Sequence, residues 1–282
     1  MARSTEMTRT MPAVALTERI DSLLRMASGI PDGQLLQPWT WRGTDVNVRH
    51  GLYRMLEIFE EGAEDARHQS RGSRMREQSE VGRWDLHAVM ISLAASDLDA
   101  DPGGEQWTIR KTLRHMLGAQ DWFGRVLSDS MRLLAEDVPV PLDLPDQILA
   151  DFGPRPPYAK GTIPEILNLF DQLMDRALTA VGELELSEKL DVPIDWFGAR
   201  VTVGYFAHRQ SAHLREHTIQ IDKTLQFLGR RPTEAQRIVR AQARALAGLL
   251  MAPAATMADK LGEAESVAAE VAQRVGVVEG PG

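Results

Sequence analysis

Apolar residues along the chain recur at alternating spacings of three and four, which place their side chains on one face of an α-helix. The clearest stripe lies between residues 81 and 98 and consists of Val81, Trp84, Ala88, Ile91, Ala95 and Leu98. Comparable stripes predict helices at about 16–27, 48–63, 107–134, 162–177, 202–229, 233–251 and 256–274. No segment has a strand pattern of similar quality, so the sequence predicts an all-α protein.

Polar residues mark the starts of two of these helices. Thr162 with Glu165 three residues later predicts a capping box, and Thr202 predicts an N-cap. The charged stretch at 64–80 is typical of a loop, a linker or a solvated helix end. A Pro-rich segment at about 137–161 is expected to be a loop that crosses between helices, and a loop of that length is often functional.

Composition narrows the classes of function. The chain has 282 residues, is 43% hydrophobic and carries a net charge of −8, without a long basic run. Nucleic acid and anionic membranes are therefore poor partners. The absence of cysteine excludes disulfides, thiolate metal ligands and a protein thiol nucleophile. No apolar run approaches 18 residues, so we expect a soluble, cytoplasmic protein.

The helix predicted at 202–229 carries a chelating pattern. His213 and His217 are four residues apart and Gln220 follows three later, so all three share one face of the helix, with the histidines one turn apart. Two imidazoles in this arrangement can bind one metal ion. His208 falls on the opposite side of the helix and is excluded from the site. The alternative is that the histidines are ordinary packing residues.

A firm metal site that keeps an open position needs a third protein ligand. The best candidate is His115, which shares an apolar stripe with Thr108, Ala119, Trp122 and Val126. The stripe predicts that His115 faces a core and needs a polar or metal partner to offset its burial. A lone histidine in such a stripe is, however, more typical of a hydrogen-bonded core residue.

These motifs together resemble the DinB-like superfamily, which includes YfiT-type proteins and mycothiol-dependent enzymes. The resemblance rests on Trp107-Thr108-Ile109-Arg110 followed by His115, and on His213-x-x-x-His217-x-x-Gln220 followed by Leu228-Gly229. It covers about residues 81–230. It implies a four-helix bundle of the up-down-down-up type in which His115, His213 and His217 bind one divalent metal, zinc or nickel, and Gln220 supports the ligands or packs between helices.

The resemblance also implies a class of chemistry. A metal held by three neutral imidazoles keeps its positive charge and can activate a bound water or thiol. Since the chain has no cysteine, a thiolate would come from a low-molecular-weight thiol co-substrate. We therefore expect a metal-dependent S-transferase or isomerase that acts on a small-molecule substrate, with Glu216 as the candidate for proton transfer.

Three alternatives stay open. The serious one is a non-catalytic, metal-binding stress-response protein, which a fourth protein ligand would favour. A remote one is an HxxEH metallohydrolase, in which Glu216 between His213 and His217 would be the general base. A di-iron carboxylate bundle needs Glu-x-x-His motifs on two helices, and the sequence has none.

The predicted organisation has three parts: an N-terminal helical pair at 1–80, the metal-binding bundle at 81–230 and a helical extension at 231–282. Val48, Arg49 and Leu52 align with Ile109, Arg110 and Leu113, so the first part is either a degenerate half-repeat or a chance likeness between amphipathic helices. A homodimer is plausible by resemblance, unless the extra helices cover that face.

Overall fold

A computed structural model describes residues 13–64, 71–152, 158–182 and 187–276 of the chain. These residues form nine α-helices and two β-hairpins. The helices are α1 (Ala13–Ser28), α2 (Val48–Glu64), α3 (Arg71–Met90), α4 (Ile109–Ala135), α5 (Leu144–Asp151), α6 (Ile163–Gly182), α7 (Val203–Phe227), α8 (Glu234–Leu249) and α9 (Ala254–Val275). The strands are β1 (Pro38–Trp41), β2 (Thr44–Asn47), β3 (Pro193–Trp196) and β4 (Ala199–Thr202). The all-α prediction is confirmed.

Several helix ends follow the predicted capping residues. The Thr202 hydroxyl accepts a hydrogen bond from the Tyr205 backbone N–H at 3.0 Å, at the start of α7. The Glu165 carboxylate accepts the Thr162 backbone N–H at 2.7 Å, at the start of α6. After α7 the chain passes through Gly229, whose φ of +70° is a conformation that glycine adopts without steric cost.

Four helices, α3, α4, α6 and α7, pack on one another as a bundle. Their interior is apolar and includes Leu113, Met116, Phe170, Met174 and Leu214. A four-helix bundle in this part of the chain agrees with the sequence prediction. None of the helices among the described residues is both long enough and apolar enough to cross a membrane.

The remaining long helices form a second bundle. α2 packs on α8 and α9, and α1 also packs on α8 and α9. A separate apolar core fills this unit and includes Leu24, Leu52, Phe59, Val239 and Val271. The two bundles join where α3 packs along α8. Helices from the two ends of the chain therefore fold against each other.

The prediction for residues 64–98 was wrong at both ends of the helix. α3 begins at Arg71 rather than near 81, because residues such as Ser79 and Glu80 are buried instead of being solvated. The helix ends at Met90 rather than near 98. There the Ser92 hydroxyl donates to the Val89 carbonyl at 2.8 Å, and the Asp97 carboxylate accepts the Ala94 N–H at 3.1 Å. Such local bonds compete with helix continuation.

The crossover between α4 and α6 is not a loop throughout, as was expected. It contains α5, which packs on α4 and β3. The Trp122 indole N–H donates to the Pro145 carbonyl at 3.1 Å and so fixes the start of α5 against α4. Further along, the Tyr158 hydroxyl donates to Asp121 of α4 at 2.8 Å. Both ends of the crossover are thus held on the helix that carries His115.

The absence of strands was also predicted wrongly, since two hairpins precede α2 and α7. In each, an X-Gly pair turns the chain with positive φ at both residues: +49° and +82° at Arg42 and Gly43, and +47° and +81° at Phe197 and Gly198. Those angles suit a type I′ turn, which normally carries Asn-Gly or Asp-Gly. Because Arg42 and Phe197 stand where Asn or Asp is usual, the sequence does not indicate these turns. Strands of only four residues also show little alternation of apolar and polar positions.

The two hairpins have the same register. Pro38 pairs with Asn47 in the first, and Pro193 pairs with Thr202 in the second. Each hairpin leads directly into a long helix, so the structure relates α2 to α7. The expected boundary between residues 80 and 81 falls inside α3, and the division of the chain at 1–80, 81–230 and 231–282 stays a prediction.

A buried charged cluster ties α3 to its neighbours. His87 is fully buried, and its ring nitrogens lie 2.9 Å from Asp21 of α1 and 2.9 Å from Asp171 of α6. The Arg83 guanidinium donates to Asp171 at 2.8 Å and to Asp175 at 2.8 Å. Burial disfavours the imidazolium, but Asp171 and Asp21 outweigh this and raise the pKa of His87 to about 9. His87 is therefore an ionic link between the bundles.

Candidate metal centre

α7 brings His213 and His217 together as the four-residue spacing predicts. Their Nε2 atoms lie 3.0 Å apart, and each residue is only 7% exposed. Both side chains belong to the face of α7 that packs into the bundle. The rings meet edge to face, with centroids 4.3 Å apart.

The third histidine comes from α4. The Thr224 hydroxyl near the end of α7 donates to the Trp107 carbonyl just before α4, at 3.2 Å. This contact places the start of α4 beside the end of α7, and the Nε2 atom of His115 lies 3.2 Å from that of His213. One ligand atom from each of the three histidines lies within 4.8 Å of the others.

The expected burial of His115 was wrong. Its stripe on α4 is buried at Trp122 and Val126, but His115 itself is exposed. The reason is that His115 lies only two turns from the start of α4, at the end of the bundle rather than in its middle. The cluster is therefore closed on the α7 side and open to solvent at His115.

The spacing of the nitrogens is compatible with a metal ion. Two ligands at zinc-to-nitrogen distances of 2.0–2.1 Å in tetrahedral geometry are about 3.3 Å apart. The observed Nε2 separations of 3.0 and 3.2 Å are close to this value. Within the described ranges, these three histidines are the only group of histidine and acidic side chains arranged to hold a metal. They could bind a divalent metal.

Electrostatics favour the neutral form of His213. Burial, together with the positive charge that His217, His115 and Arg209 can carry, lowers the pKa of His213 to about 3. A neutral imidazole has a free lone pair, which is the form that binds metals. His213 is therefore ready to act as a ligand at neutral pH.

Gln220 contacts the cluster from outside. Its side-chain oxygen lies 2.8 Å from the Nδ1 atom of His217. This contact favours the tautomer of His217 that carries its proton on Nδ1 and leaves Nε2 free, pointing towards His213. The sequence placed Gln220 on the same face as the histidines, and the structure brings it into contact with one of them.

Two other residues of α7 lie away from the cluster. The Glu216 carboxylate accepts a hydrogen bond from Arg209 at 2.9 Å, and its side chain is 56% exposed. Glu216 as the residue for proton transfer stays a prediction. His208 is exposed and lies 3.1 Å from the Gln78 side chain, on the opposite side of the helix as predicted.

The sequence analysis did not identify a pair of buried glutamines near the cluster. Gln210 of α7 donates to the Gln120 side chain of α4 at 2.9 Å, and both residues are fully buried. Their spacing supplied a signal, since Gln210 is three residues before His213 and seven before His217 and so shares their face. The sequence alone does not show that Gln120 lies opposite.

Trp107, the residue before the N-cap of α4, borders the site. Its ring lies edge-on to His115, with centroids 5.5 Å apart, and the Lys111 ammonium lies 4.9 Å from the Trp107 ring centroid. The indole is partly buried and covers one side of the open histidine. The exposed side of the cluster therefore has an aromatic wall and a nearby positive charge.

Comparison with known proteins agrees with this architecture. The model of the DinB superfamily matches residues 78–221, slightly more than half of the chain, and this range contains all three histidines and Gln220. No curated protein and no solved structure matches the chain significantly. The matched range corresponds closely to the bundle of α3, α4, α6 and α7 that holds the cluster. The chain belongs to the DinB superfamily.

Proposed function

We propose that this protein binds one divalent metal, zinc or nickel, through His115, His213 and His217, and uses it in the transfer or isomerisation of a small molecule. The observation that carries the proposal is the convergence of three Nε2 atoms at 3.0 and 3.2 Å beside an exposed edge. Three protein ligands with an open side are typical of catalytic rather than structural zinc sites.

The bound metal would supply a positive charge that lowers the pKa of a thiol or water. The chain has no cysteine, so the thiol would be a low-molecular-weight co-substrate. It would reach the site on the side of His115, past Trp107, because His213 and His217 are buried on the other side. Lys111 beside Trp107 would favour a co-substrate with a carboxylate.

Within the chain, proton transfer at the site would fall to Glu216, the candidate from the sequence. Its ion pair with Arg209 at 2.9 Å would have to open first. A solvent-exposed ion pair contributes about 0–1 kcal/mol, so opening it costs little. His213 and His217 would bind the metal through their Nε2 atoms, and Gln220 would fix the tautomer of His217.

The second candidate is a non-catalytic metal-binding protein. It is favoured by the position of Glu216, the candidate for proton transfer, whose carboxylate pairs with Arg209 at 2.9 Å, away from the cluster. The HxxEH metallohydrolase is less well supported. Its third ligand would be a carboxylate, whereas the third side chain at the cluster is His115, 3.2 Å from His213, and the Glu216 carboxylate pairs with Arg209. A homodimer remains part of the proposal through resemblance alone.

The first experiment measures metal content by elemental analysis in the wild type and in a variant with both His115→Ala and His217→Ala. We expect about one equivalent of metal in the wild type and almost none in the double variant. His208→Ala is the matched control, because it removes an exposed histidine of the same helix outside the cluster. A wild type that binds neither zinc nor nickel after incubation would overturn the proposal.

A second measurement separates the catalytic from the non-catalytic candidate. The protein is loaded with cobalt(II), and a small thiol is added while the absorption spectrum is recorded. A new sulfur-to-cobalt charge-transfer band would demonstrate an open position and support the catalytic candidate. An unchanged spectrum over a wide range of thiol concentrations would favour the non-catalytic one. His208→Ala should behave as the wild type.

A further inference from the structure

Three polar atoms close to the histidine cluster are buried without a hydrogen-bond partner: His213 Nδ1, Gln210 Oε1 and Gln120 Nε2. Unpaired buried polar groups are rare and costly, so a group of three calls for an explanation. We propose that Gln210 is a positioning residue for His213. Its amide oxygen accepts the Nδ1–H of His213 when Nε2 binds the metal. The inference rests on the proposed metal site and identifies a part of it that the sequence motif lacks.

The chemistry of an Nε2-bound histidine requires such an acceptor. A neutral imidazole that binds a metal through Nε2 carries its proton on Nδ1, which is then a donor. His213 is only 7% exposed, so solvent does not reach this donor freely. Metal-binding histidines almost always donate this second N–H to an acceptor, which fixes the ring and increases its basicity.

Gln210 is well placed to supply the acceptor. It precedes His213 by three residues on α7, and residues at this spacing are neighbours on a helix surface, about 5–6 Å apart at Cβ. On the side of α4, His213 packs against the Phe123 ring, with centroids 5.7 Å apart, and Gln120 is one turn before Phe123. The glutamine pair and His213 therefore lie in the same part of the interior. One bridging water, or a small rotation of the Gln210 amide that keeps its bond to Gln120, would join them.

The arrangement repeats the one already formed at His217. There the Gln220 oxygen lies 2.8 Å from Nδ1, three residues after its histidine. Gln210 lies three residues before its own histidine, so the two glutamines stand at opposite ends of the His213–His217 segment. His213 and His217 thus each have one glutamine whose oxygen can hold the Nδ1 proton.

Gln120 gives Gln210 the required orientation. The Gln210 NH₂ group donates to the Gln120 oxygen at 2.9 Å and approaches the Met174 sulfur at 3.6 Å. With its NH₂ group engaged in this way, the free end of the Gln210 amide is the oxygen. Gln120 acts through Gln210, and its own effect on the metal should be smaller.

The test measures zinc affinity by competition with a chelator, together with the cobalt(II) absorption spectrum, in Gln210→Met, Gln210→Glu and the wild type. Gln210→Met keeps the volume and removes the acceptor, and we expect zinc affinity to fall about 10–100-fold, with altered cobalt bands. Gln210→Glu restores an acceptor and should recover most of the affinity. Circular dichroism of the metal-free variants checks that each one folds.

The matched control is Gln242→Met. Gln242 is also a fully buried glutamine with an unpaired oxygen, but it lies in α8 of the other bundle and donates to the Leu52 carbonyl at 2.6 Å. It should leave zinc affinity unchanged. If Gln210→Met folds and binds zinc as tightly as the wild type, with the same cobalt spectrum, the inference fails while the metal site stands. A wild type that binds no metal would instead remove the proposed function.

Discussion

Ile58 and His213 occupy the eleventh position of α2 and α7, counted from Val48 and Val203, and both helices follow hairpins of the same register. By the same count, Gly62 of α2 is equivalent in position to His217 of α7. Leu249 of α8 and the stem of Lys260 of α9 pack against Gly62, in the place where a side chain would otherwise enter. The bundle of α1, α2, α8 and α9 therefore has apolar residues and a lysine stem where the other bundle has two candidate metal ligands.

This relationship predicts that a metal-loaded chain holds about one equivalent of metal, not two. Ile58 and Gly62 offer no donor atom, and the Lys260 ammonium instead lies 2.9 Å from Glu61. Native mass spectrometry of the zinc-loaded protein measures the number of ions per chain directly. A second tightly held ion that survives His115→Ala with His217→Ala would show that the other bundle has a site of its own.

A second prediction concerns the pH dependence of stability through His87. Its pKa is raised from 6.5 to about 9 in the folded protein, so its contribution is fully present below pH 6.5 and is lost as the pH rises through 9. Full loss corresponds to about 3 kcal/mol, at about 1.4 kcal/mol per pKa unit. Urea unfolding at pH 6.5 and pH 9.5 should show this decrease in the wild type and not in His87→Gln.

The control for this measurement is His50→Gln, which removes an exposed histidine of α2. It should retain the full pH dependence of the wild type. Equal pH dependence in His87→Gln and the wild type would show that the pair with Asp171 does not hold the proton in the folded state.

A third prediction contrasts two glycines inside helices. A Cβ at Gly51 would collide with the Val271 side chain of α9, whereas a Cβ at Gly262 would have the Arg19 side chain as its nearest neighbour, at 3.9 Å. Gly51→Ala should therefore lower the free energy of unfolding by about 1–3 kcal/mol through overpacking. Gly262→Ala should raise it by about 0.4–1 kcal/mol, because alanine loses less backbone entropy. Urea unfolding of both variants is the measurement, and two changes of the same sign would contradict the packing of α2 on α9.

A fourth prediction concerns Gln220. Its oxygen lies 2.8 Å from His217 Nδ1, so Gln220→Met should weaken zinc binding about 10–100-fold. Gln226→Met is the control, since Gln226 is exposed on the same helix beyond the cluster. Both are measured by competition with a chelator. Unchanged affinity in Gln220→Met would mean that His217 keeps its orientation through packing alone.

The candidate ligands on α7 were readable in the sequence because a helix converts a four-residue spacing into one turn. His213, His217 and Gln220 therefore needed only the prediction of a helix, which the apolar stripe and Thr202 supplied. The capping residues were equally local, since each cap bonds a backbone group within three residues. The two type I′ turns were not predicted, because Arg42 and Phe197 are unusual residues for positive φ.

The sequence by itself determined most of the helices, the shared face of His213 and His217 and membership of a bundle fold, because these depend on periodicity within short segments. Only the tertiary structure decided that His115 is exposed, that Gln120 meets Gln210 and that α1 and α2 join α8 and α9. Those features depend on which helices pack together across many residues of chain. The free energy of that packing depends on how well entire helix faces fit each other, and the pattern of residues within one short segment does not show this fit.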